Sequence, residues 1–184
     1  MLQCVKKNGV LLSYASDGFR GDRQIVVEAT KQYGYAIQYA SSALQADREI
    51  VMLAINQTKC TDYRNPICSS PLKYASGKLK DDREIVMEAV AQNGTALQYA
   101  TERLRNDREI VMMAVTQNGS ALKHASTDLR GDREIVMEAT KQNGYALQFA
   151  APKLRSDPVI ALIRRAERAG ESSRVAIAKK TPQK

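Results

Sequence analysis

The sequence predicts an all-α protein, an α-solenoid of short helix-turn-helix units. A phrase of about 25 residues recurs from the start of the chain to Asp157, and its copies open on an aspartate followed by a helical apolar pattern. In most copies a glycine turn and a second apolar stretch follow. The strict alternation of apolar and polar residues that indicates a strand does not appear. Repetition at a fixed period is typical of stacked arrays, in which a unit buries its apolar face only against its neighbours.

The first helix of each unit, helix A, is clearest after Asp107. Ile110, Val111, Ala114 and Val115 fall at i, i+1, i+4 and i+5, which places them on one helical face. Asp107 is expected to cap this helix by accepting hydrogen bonds from its first amides. Full units are predicted to start at 22, 47, 82, 107 and 132, after a partial unit at 1–21.

A glycine turn is expected to end helix A and to lead into a shorter helix B. Asn118-Gly119 should supply a left-handed turn, because glycine adopts positive φ without a steric penalty. In the unit led by Asp82, the residues predicted to point inward from helix B are Ala96, Leu97, Tyr99, Ala100 and Leu104.

One position of helix A alternates between acidic and apolar side chains along the chain. Its residues are Glu28, Leu53, Glu88, Met113, Glu138 and Ile163. The alternation predicts that successive A helices meet different surroundings, so that two units form one four-helix repeat of about 50 residues. Chance alternation among similar units is the other interpretation.

The phrases Asp-Arg-Glu-Ile-Val-Met-Glu-Ala-Val, Gln-Asn-Gly and Ala-Leu-Gln-Tyr-Ala carry a resemblance. They resemble a tandem repeat family of about fifty residues, known only as a domain of unknown function and found in intracellular bacteria and in algae. The similarity covers about residues 1–160. It implies helical repeats and, in bacteria, an effector that is translocated into a host cell, and it implies no catalytic residue.

An insertion at 60–69 departs from this pattern. Tyr63 and Arg64 belong to residue types that are frequent at interface hot spots, so the insertion is a candidate partner contact, with a neutral loop as the alternative.

The two ends of the chain also depart from the pattern. Asp157-Pro158 is expected to open a capping helix over 157–170, with Arg164 and Arg165 facing solvent, before a flexible basic tail at 171–184. At the other end, Met1 aligns with Val26, which indicates either a half-unit or an array cut from a longer protein.

Composition narrows the class of protein. The chain has neither a membrane-length apolar run nor a signal-peptide layout, so an intracellular, cytoplasmic protein is expected. Its three cysteines form no disulfide framework and show no metal-ligand spacing. His124, the one histidine, has no partnered carboxylate or nucleophile in the pattern. We therefore expect no enzyme activity, no metal and no cofactor.

Several side chains recur once per unit, and stacking is the preferred explanation for each series. The aromatic series is Tyr14, Tyr39, Tyr74, Tyr99, His124 and Phe149; the amide series is Gln32, Gln57, Gln92, Gln117 and Gln142. Packing is favoured over base stacking for the rings, and capping or an amide ladder over ligand contact for the glutamines. Two series of basic residues flank the leading aspartates with acids interleaved, which favours ion pairing between units.

The net charge is +8, and residues 157–184 alone contribute +4 of it. The leading prediction is a monomeric, non-enzymatic scaffold that binds another protein. The candidate contact residues are Tyr63, Arg64, Arg83, Arg105, Arg108, Arg130 and Arg133. Two alternatives remain open: a solenoid that binds nucleic acid through an edge formed by these two basic series and through the tail, and a spacer array from a larger multidomain protein.

Overall fold

Each full unit begins with an α-helix of ten residues. The structure is a computed structural model that describes residues 1–58 and 70–166. The A helices span Arg23–Gln32, Arg48–Gln57, Arg83–Gln92, Arg108–Gln117 and Arg133–Gln142. A shorter helix, Leu2–Lys7, precedes them, and residues 158–166 are helical after them. The described residues contain no strand, so the all-α prediction is confirmed.

The leading aspartate fixes the start of each A helix. Oδ1 of Asp107 accepts hydrogen bonds from the backbone nitrogens of Glu109 at 3.0 Å and Ile110 at 3.2 Å. These amides would otherwise lack partners, because the first turn of a helix has no preceding carbonyls. The same pair of bonds forms at Asp22, Asp47, Asp82, Asp132 and Asp157. The predicted cap is confirmed.

The apolar face of helix A lies in the core. Ile110, Val111, Ala114 and Val115 are all buried, as the periodicity predicts. Burying a side chain the size of Ile or Val contributes about 1.5–3 kcal/mol. The equivalent residues of the other units belong to the same core cluster, which therefore runs continuously through the array.

The second half of each unit is two short pieces and not one helix B. The first, the B segment, is a 3₁₀ helix; the B segments span Gly9–Tyr14, Gly34–Tyr39, Pro71–Tyr74, Gly94–Tyr99, Gly119–His124 and Gly144–Phe149. The second, the C turn, is a single helical turn; the C turns span Asp17–Arg20, Leu44–Ala46, Gly77–Lys80, Glu102–Arg105, Leu129–Gly131 and Pro152–Arg155.

The break between the two pieces has a local cause. Ala100 is extended, with φ −69° and ψ 156°, and the next amide, Thr101 N, donates to Lys80 O of the preceding unit at 3.1 Å. A continuous helix would use that amide internally. The inward-pointing residues are nevertheless as predicted, since Ala96, Leu97, Ala100 and Leu104 are buried and Tyr99 is half-buried against the core.

The predicted left-handed turn after helix A is wrong. Asn118 is extended, with φ −150° and ψ 106°, and no described residue has positive φ. Asn118 instead caps the B segment, because its Oδ1 accepts a hydrogen bond from Ser120 N at 3.0 Å. The glycine has a different role: a Cβ at Gly119 would lie 2.3 Å from the carbonyl oxygen of Ala139 in the next A helix.

This glycine contact recurs and sets how closely consecutive units approach. A Cβ at Gly9 would lie 2.2 Å from Ala29 O, and one at Gly94 would lie 2.3 Å from Ala114 O. Real Cβ atoms essentially never come that close to a backbone oxygen. The glycine is therefore required by the neighbouring unit.

The units stack in chain order as two layers. Successive A helices pack on one another, and successive B segments pack on one another. The B segments from Gly9–Tyr14 to Gly119–His124 also contact the A helix of the next unit. The predicted alternation of surroundings is wrong at the alternating position, because all six of its side chains are half-buried. The acidic members are partly exposed as the apolar ones are, so burial at this position does not alternate along the array.

Candidate interaction surface

Charge is divided between the two layers. In the A layer, segments 22–33, 47–58, 82–93, 107–118 and 132–143 contain seven Lys and Arg against twelve Asp and Glu, a net −5. The end helices of this layer, 1–8 and 157–166, add Lys6, Lys7, Arg164 and Arg165 against Asp157, so the whole layer has a net −2. The other side, segments 13–21, 38–46, 73–81, 98–106, 123–131 and 148–156, contains ten Lys and Arg against four Asp and Glu, a net +6. We call this second set the basic layer. It is formed by the C turns and the ends of the B segments.

In the A layer, the arginine after each leading aspartate pairs with the next unit. Arg108 Nε lies 3.1 Å from Asp132 Oδ2, and a second nitrogen of Arg108 donates to Glu134. The other arginines of this ladder, Arg23, Arg48, Arg83 and Arg133, reach the following leading aspartate at 3.0–3.3 Å. The predicted ion pairing between units is confirmed.

The ladder places three of the predicted contact residues, Arg83, Arg108 and Arg133, in intramolecular ion pairs. Partial burial alone would raise the pKa of Asp107, but hydrogen bonds from Arg83 and from its own helix amides hold that pKa below its usual value. The pKa of Arg83 is raised, first by its hydrogen bond to Asp107 and then by that to Glu109. Both partners therefore stay charged and occupied with each other at neutral pH.

The basic layer contains the other series of basic residues, which lie two positions before most leading aspartates. This cation row is Arg20, Lys80, Arg105, Arg130 and Arg155, with Gln45 in the remaining unit. The side chains of Lys80 and Arg105 make no hydrogen bond or ion pair with any described residue. The Nε atoms of Arg105 and Arg130 are enclosed without a partner, whereas the terminal nitrogens of Arg105 are not enclosed.

Other members of the row fold back on their own unit. A terminal nitrogen of Arg20 donates to Ser13 O at 2.8 Å, and Arg155 Nε donates to Ala150 O at 2.7 Å. These bonds satisfy carbonyls at the end of a B segment, which lack partners as the last carbonyls of a helix do. The long apolar stems thus cover the B segment while the charge stays at the surface.

Two neighbouring cations of the row share one cavity. Arg130 and Arg155 line an open cavity of about 110 Å³ together with Thr127, Phe149 and Pro152. That volume holds a few groups the size of a water molecule, each of which occupies about 30 Å³. A single anionic group there would face two guanidinium groups.

The aromatic series is packed into the fold. Tyr39, Tyr74, Tyr99 and Phe149 are half-buried against the core, and Tyr14 is the exception at 83% exposure. Packing is therefore supported over base stacking, which needs accessible ring faces.

His124 occupies an aromatic position in a half-buried environment. Burial lowers its pKa to about 4, with further lowering from the nearby charges of Lys123 and Arg105. The ring is therefore neutral at pH 7. Its Nε2 is enclosed without a hydrogen-bond partner among the described residues.

The glutamine series does not form one repeating ladder. Gln142 Oε1 accepts from Gly119 N of the preceding unit at 2.6 Å, whereas Gln92 Nε2 donates to Glu88 within its own helix at 3.1 Å. The amide therefore serves different contacts in different units.

Several predicted features lie outside the described residues, among them Tyr63, Arg64, Cys60, Cys68 and the tail at 171–184. Within residues 1–58 and 70–166, no grouping of His, Cys, Asp and Glu is suited to hold a metal ion. Over the same ranges, no helix combines the length and apolar character that crossing a membrane requires.

The end of the described chain differs from the predicted polar cap. Arg165 is exposed as expected, but Arg164 is half-buried and lines a cavity with Tyr145, Leu147 and Arg155. Leu162 is 62% exposed.

The stacked units, with their backbone contacts and ion pairs from one unit to the next, define the class as a helical-repeat protein of the α-solenoid type. A family model described as Domain of unknown function (DUF4116) matches residues 1–45, 31–63, 66–105, 82–130 and 107–155. The chain belongs to this family, which confirms the resemblance drawn from the sequence. No curated protein and no solved structure matches it.

The family matches bear on the predicted pairing of units. The matches at 82–130 and 107–155 start 25 residues apart and overlap, so a model about two units long fits the array beginning at either unit. The matches therefore single out no phase for a four-helix repeat, in agreement with the uniform burial of the alternating position.

Proposed function

We propose that this chain is a non-enzymatic scaffold that binds another protein through its basic layer. The observation that carries the proposal is the division of charge: the ladder arginines are paired within the molecule, while the basic layer has a net +6 and includes unpaired cations. Unneutralised charge on one side of a protein steers and selects partners of the opposite sign.

The architecture supports the same function. A solenoid offers an extended surface of equivalent sites, because each unit repeats the same side-chain positions. Arg105 and Arg130, both predicted from the sequence as contact residues, lie in the basic layer at equivalent positions of neighbouring units. Lys80 and Arg155 extend the row and were not among the predicted contacts. The resemblance to repeats of intracellular bacteria supports the narrower proposal of a scaffold that acts on a host-cell protein.

Nucleic acid is the second candidate for the same layer, favoured by its net positive charge. It is less well supported for two reasons. The half-buried rings offer little stacking surface, and Asp17, Asp81, Glu102 and Asp128 are interleaved with the cations. Phosphate chains bind best where cations are unopposed, because affinity depends on counterion release.

Affinity capture followed by cross-link mapping tests the proposed function. Arg105→Glu/Arg130→Glu reverses charge in the basic layer, and Lys31→Glu/Lys141→Glu makes the same charge change in the A layer. We expect the first variant to lose captured proteins and the second to retain them, with cross-links on the C turns. Identical capture by both variants, or capture that nuclease treatment abolishes, would contradict the proposal. A variant lacking residues 60–69 tests the separate role predicted for the insertion.

A further inference from the structure

The cation row is held at a regular interval by backbone hydrogen bonds. The second amide after a B segment donates to the carbonyl of the row residue in the preceding unit: Thr101 N to Lys80 O at 3.1 Å, Ser126 N to Arg105 O at 3.0 Å, and Ala151 N to Arg130 O at 2.8 Å. These bonds hold Lys80, Arg105 and Arg130 at equivalent backbone positions, and Arg155 ends the C turn of the following unit as Arg105 ends its own.

The interval expected between packed units suits a peptide in the polyproline II conformation. Packed helices lie about 8–10 Å apart, and the glycine contacts keep neighbouring units at close approach. A chain in the polyproline II conformation has three residues per turn and rises about 3.1 Å per residue, so every third side chain lies on the same face, about 9 Å further along. A side chain on every third residue would therefore meet one unit after another.

The chemistry of the row favours oxyanions, of which carboxylates are the ones a protein partner supplies. Guanidinium groups bind carboxylates through two parallel hydrogen bonds, and the terminal nitrogens of Arg105 have no described partner. Arg130 and Arg155 line the same cavity, so neighbouring positions of the row are close enough to act on one bound chain.

We propose that the basic layer binds an acidic segment of a partner protein in the polyproline II conformation, with a carboxylate at every third residue and one carboxylate per unit from Lys80 to Arg155. This inference rests on the proposed function and names the chemistry of the partner. A single nucleic acid strand fits less well, since its bases would find rings already packed against the core.

The decisive experiment measures fluorescence anisotropy of labelled probes with the full chain at about 0.15 M salt, where exposed charges are screened beyond about 8 Å. One peptide has about ten residues, with four glutamates at every third position and Gly or Ser between them. A second has the same composition with the four glutamates adjacent. An oligothymidylate of similar length is the third probe.

We expect the spaced peptide to bind about tenfold more tightly than the clustered one, a difference of about 1.4 kcal/mol. Arg105→Gln/Arg130→Gln should remove about tenfold of that affinity, and Lys31→Gln/Lys141→Gln should leave it unchanged. Glutamine is a suitable replacement because Gln45 occupies the same position and bonds the carbonyls of Ile37 and Gln38.

Equal affinity for the spaced and clustered peptides would overturn the inference, as would tighter binding of the oligothymidylate. The peptide comparison needs only the wild-type chain, so it decides the question even if a variant fails to fold. If capture depends on the basic layer but the spaced peptide shows no preference, the inference fails and the proposed function stands. If the charge reversals in the basic layer do not change which proteins are captured, the proposed function fails.

Discussion

Arg105 and Arg108 are three residues apart, yet they lie in different layers and do different things. Arg108 pairs with Asp132 and Glu134 of the next unit, so its charge holds the array together. Arg105 has no such partner among the described residues, and its terminal nitrogens are not enclosed. The comparison shows that an arginine's position relative to the leading aspartate decides whether it pairs with carboxylates of the next unit.

The largest expected loss of stability comes from substituting the glycine that opens a B segment. This glycine lies against a backbone carbonyl of the A helix in the next unit. Gly94→Ala would place a Cβ 2.3 Å from Ala114 O, with two further backbone atoms at 3.2 Å. Because backbone cannot move aside as a flexible side chain does, we expect a loss of about 3 kcal/mol in the free energy of unfolding. Urea titration measures it.

Gly77→Ala is the matched control for that substitution, since a Cβ there meets nothing within 4 Å. It should leave stability unchanged or raise it by about 0.5 kcal/mol, through lower entropy of the unfolded chain. Similar losses in both variants would show that the close approach between units is not what requires the glycine.

The second prediction concerns His124, in the basic layer. Its folded pKa of about 4 lies below the ordinary 6.5, so the fold favours the neutral ring. The stability that this contributes is present above pH 6.5 and is lost as the pH falls from about 6.5 to about 4, by about 2 kcal/mol. Thermal unfolding across that range measures the loss.

His124→Tyr supplies the baseline, because Tyr99 occupies the same position one unit earlier. The variant should lack the histidine-dependent loss and retain the decline at lower pH, where the depressed pKa values of Asp107 and Asp132 come into range. Parallel pH profiles for the two proteins would contradict the assignment of a buried, neutral ring.

The third prediction separates the two roles of a leading aspartate. Asp107→Ala removes both the bonds to the first amides of helix A and the ion pair with Arg83, and should cost about 1 kcal/mol. Asp107→Asn keeps an oxygen for the amides and loses only the charge, so it should cost clearly less. Equal losses in denaturant titrations would mean that the ion pair outweighs the cap.

The smallest effect is expected from the ladder itself. Arg108→Gln should lower the free energy of unfolding by about 0.5 kcal/mol at low salt, and by less at high salt, because the pair is solvent-exposed. Arg105→Gln removes the same charge and should change stability less at either salt concentration. A larger loss for Arg105→Gln would reverse the assignment of the two arginines.

Much of the fold could be predicted because it depends on short-range patterns. The caps at the leading aspartates and the buried face of Ile110 and Val111 follow from spacing within one helix. The Asn-Gly turn could not, because Gly119 is needed to admit the carbonyl of Ala139, about twenty residues away. The split of helix B likewise depends on a bond from Thr101 to the preceding unit.

The candidate surface was only partly predictable for a related reason. The sequence indicated two series of basic residues and suggested ion pairing between units. It did not show that ion pairing would involve the arginines after the leading aspartates and leave all five members of the cation row without carboxylate partners among the described residues. Counting charge by position within the unit would have shown that the C-turn positions are more basic than the A-helix positions. Only the structure shows that the C-turn positions lie together in one layer.

The central claim is that one arginine series stabilises the stack and the other binds the partner. It is tested most directly by comparing two double variants that lose the same charge. Arg105→Gln/Arg130→Gln should weaken binding of the spaced acidic peptide about tenfold with little change in the free energy of unfolding. Arg108→Gln/Arg133→Gln should lower that free energy by about 1 kcal/mol and change binding by less than about twofold. Equal loss of binding in both variants would contradict the account, because it would show that the peptide responds to total charge and not to the row.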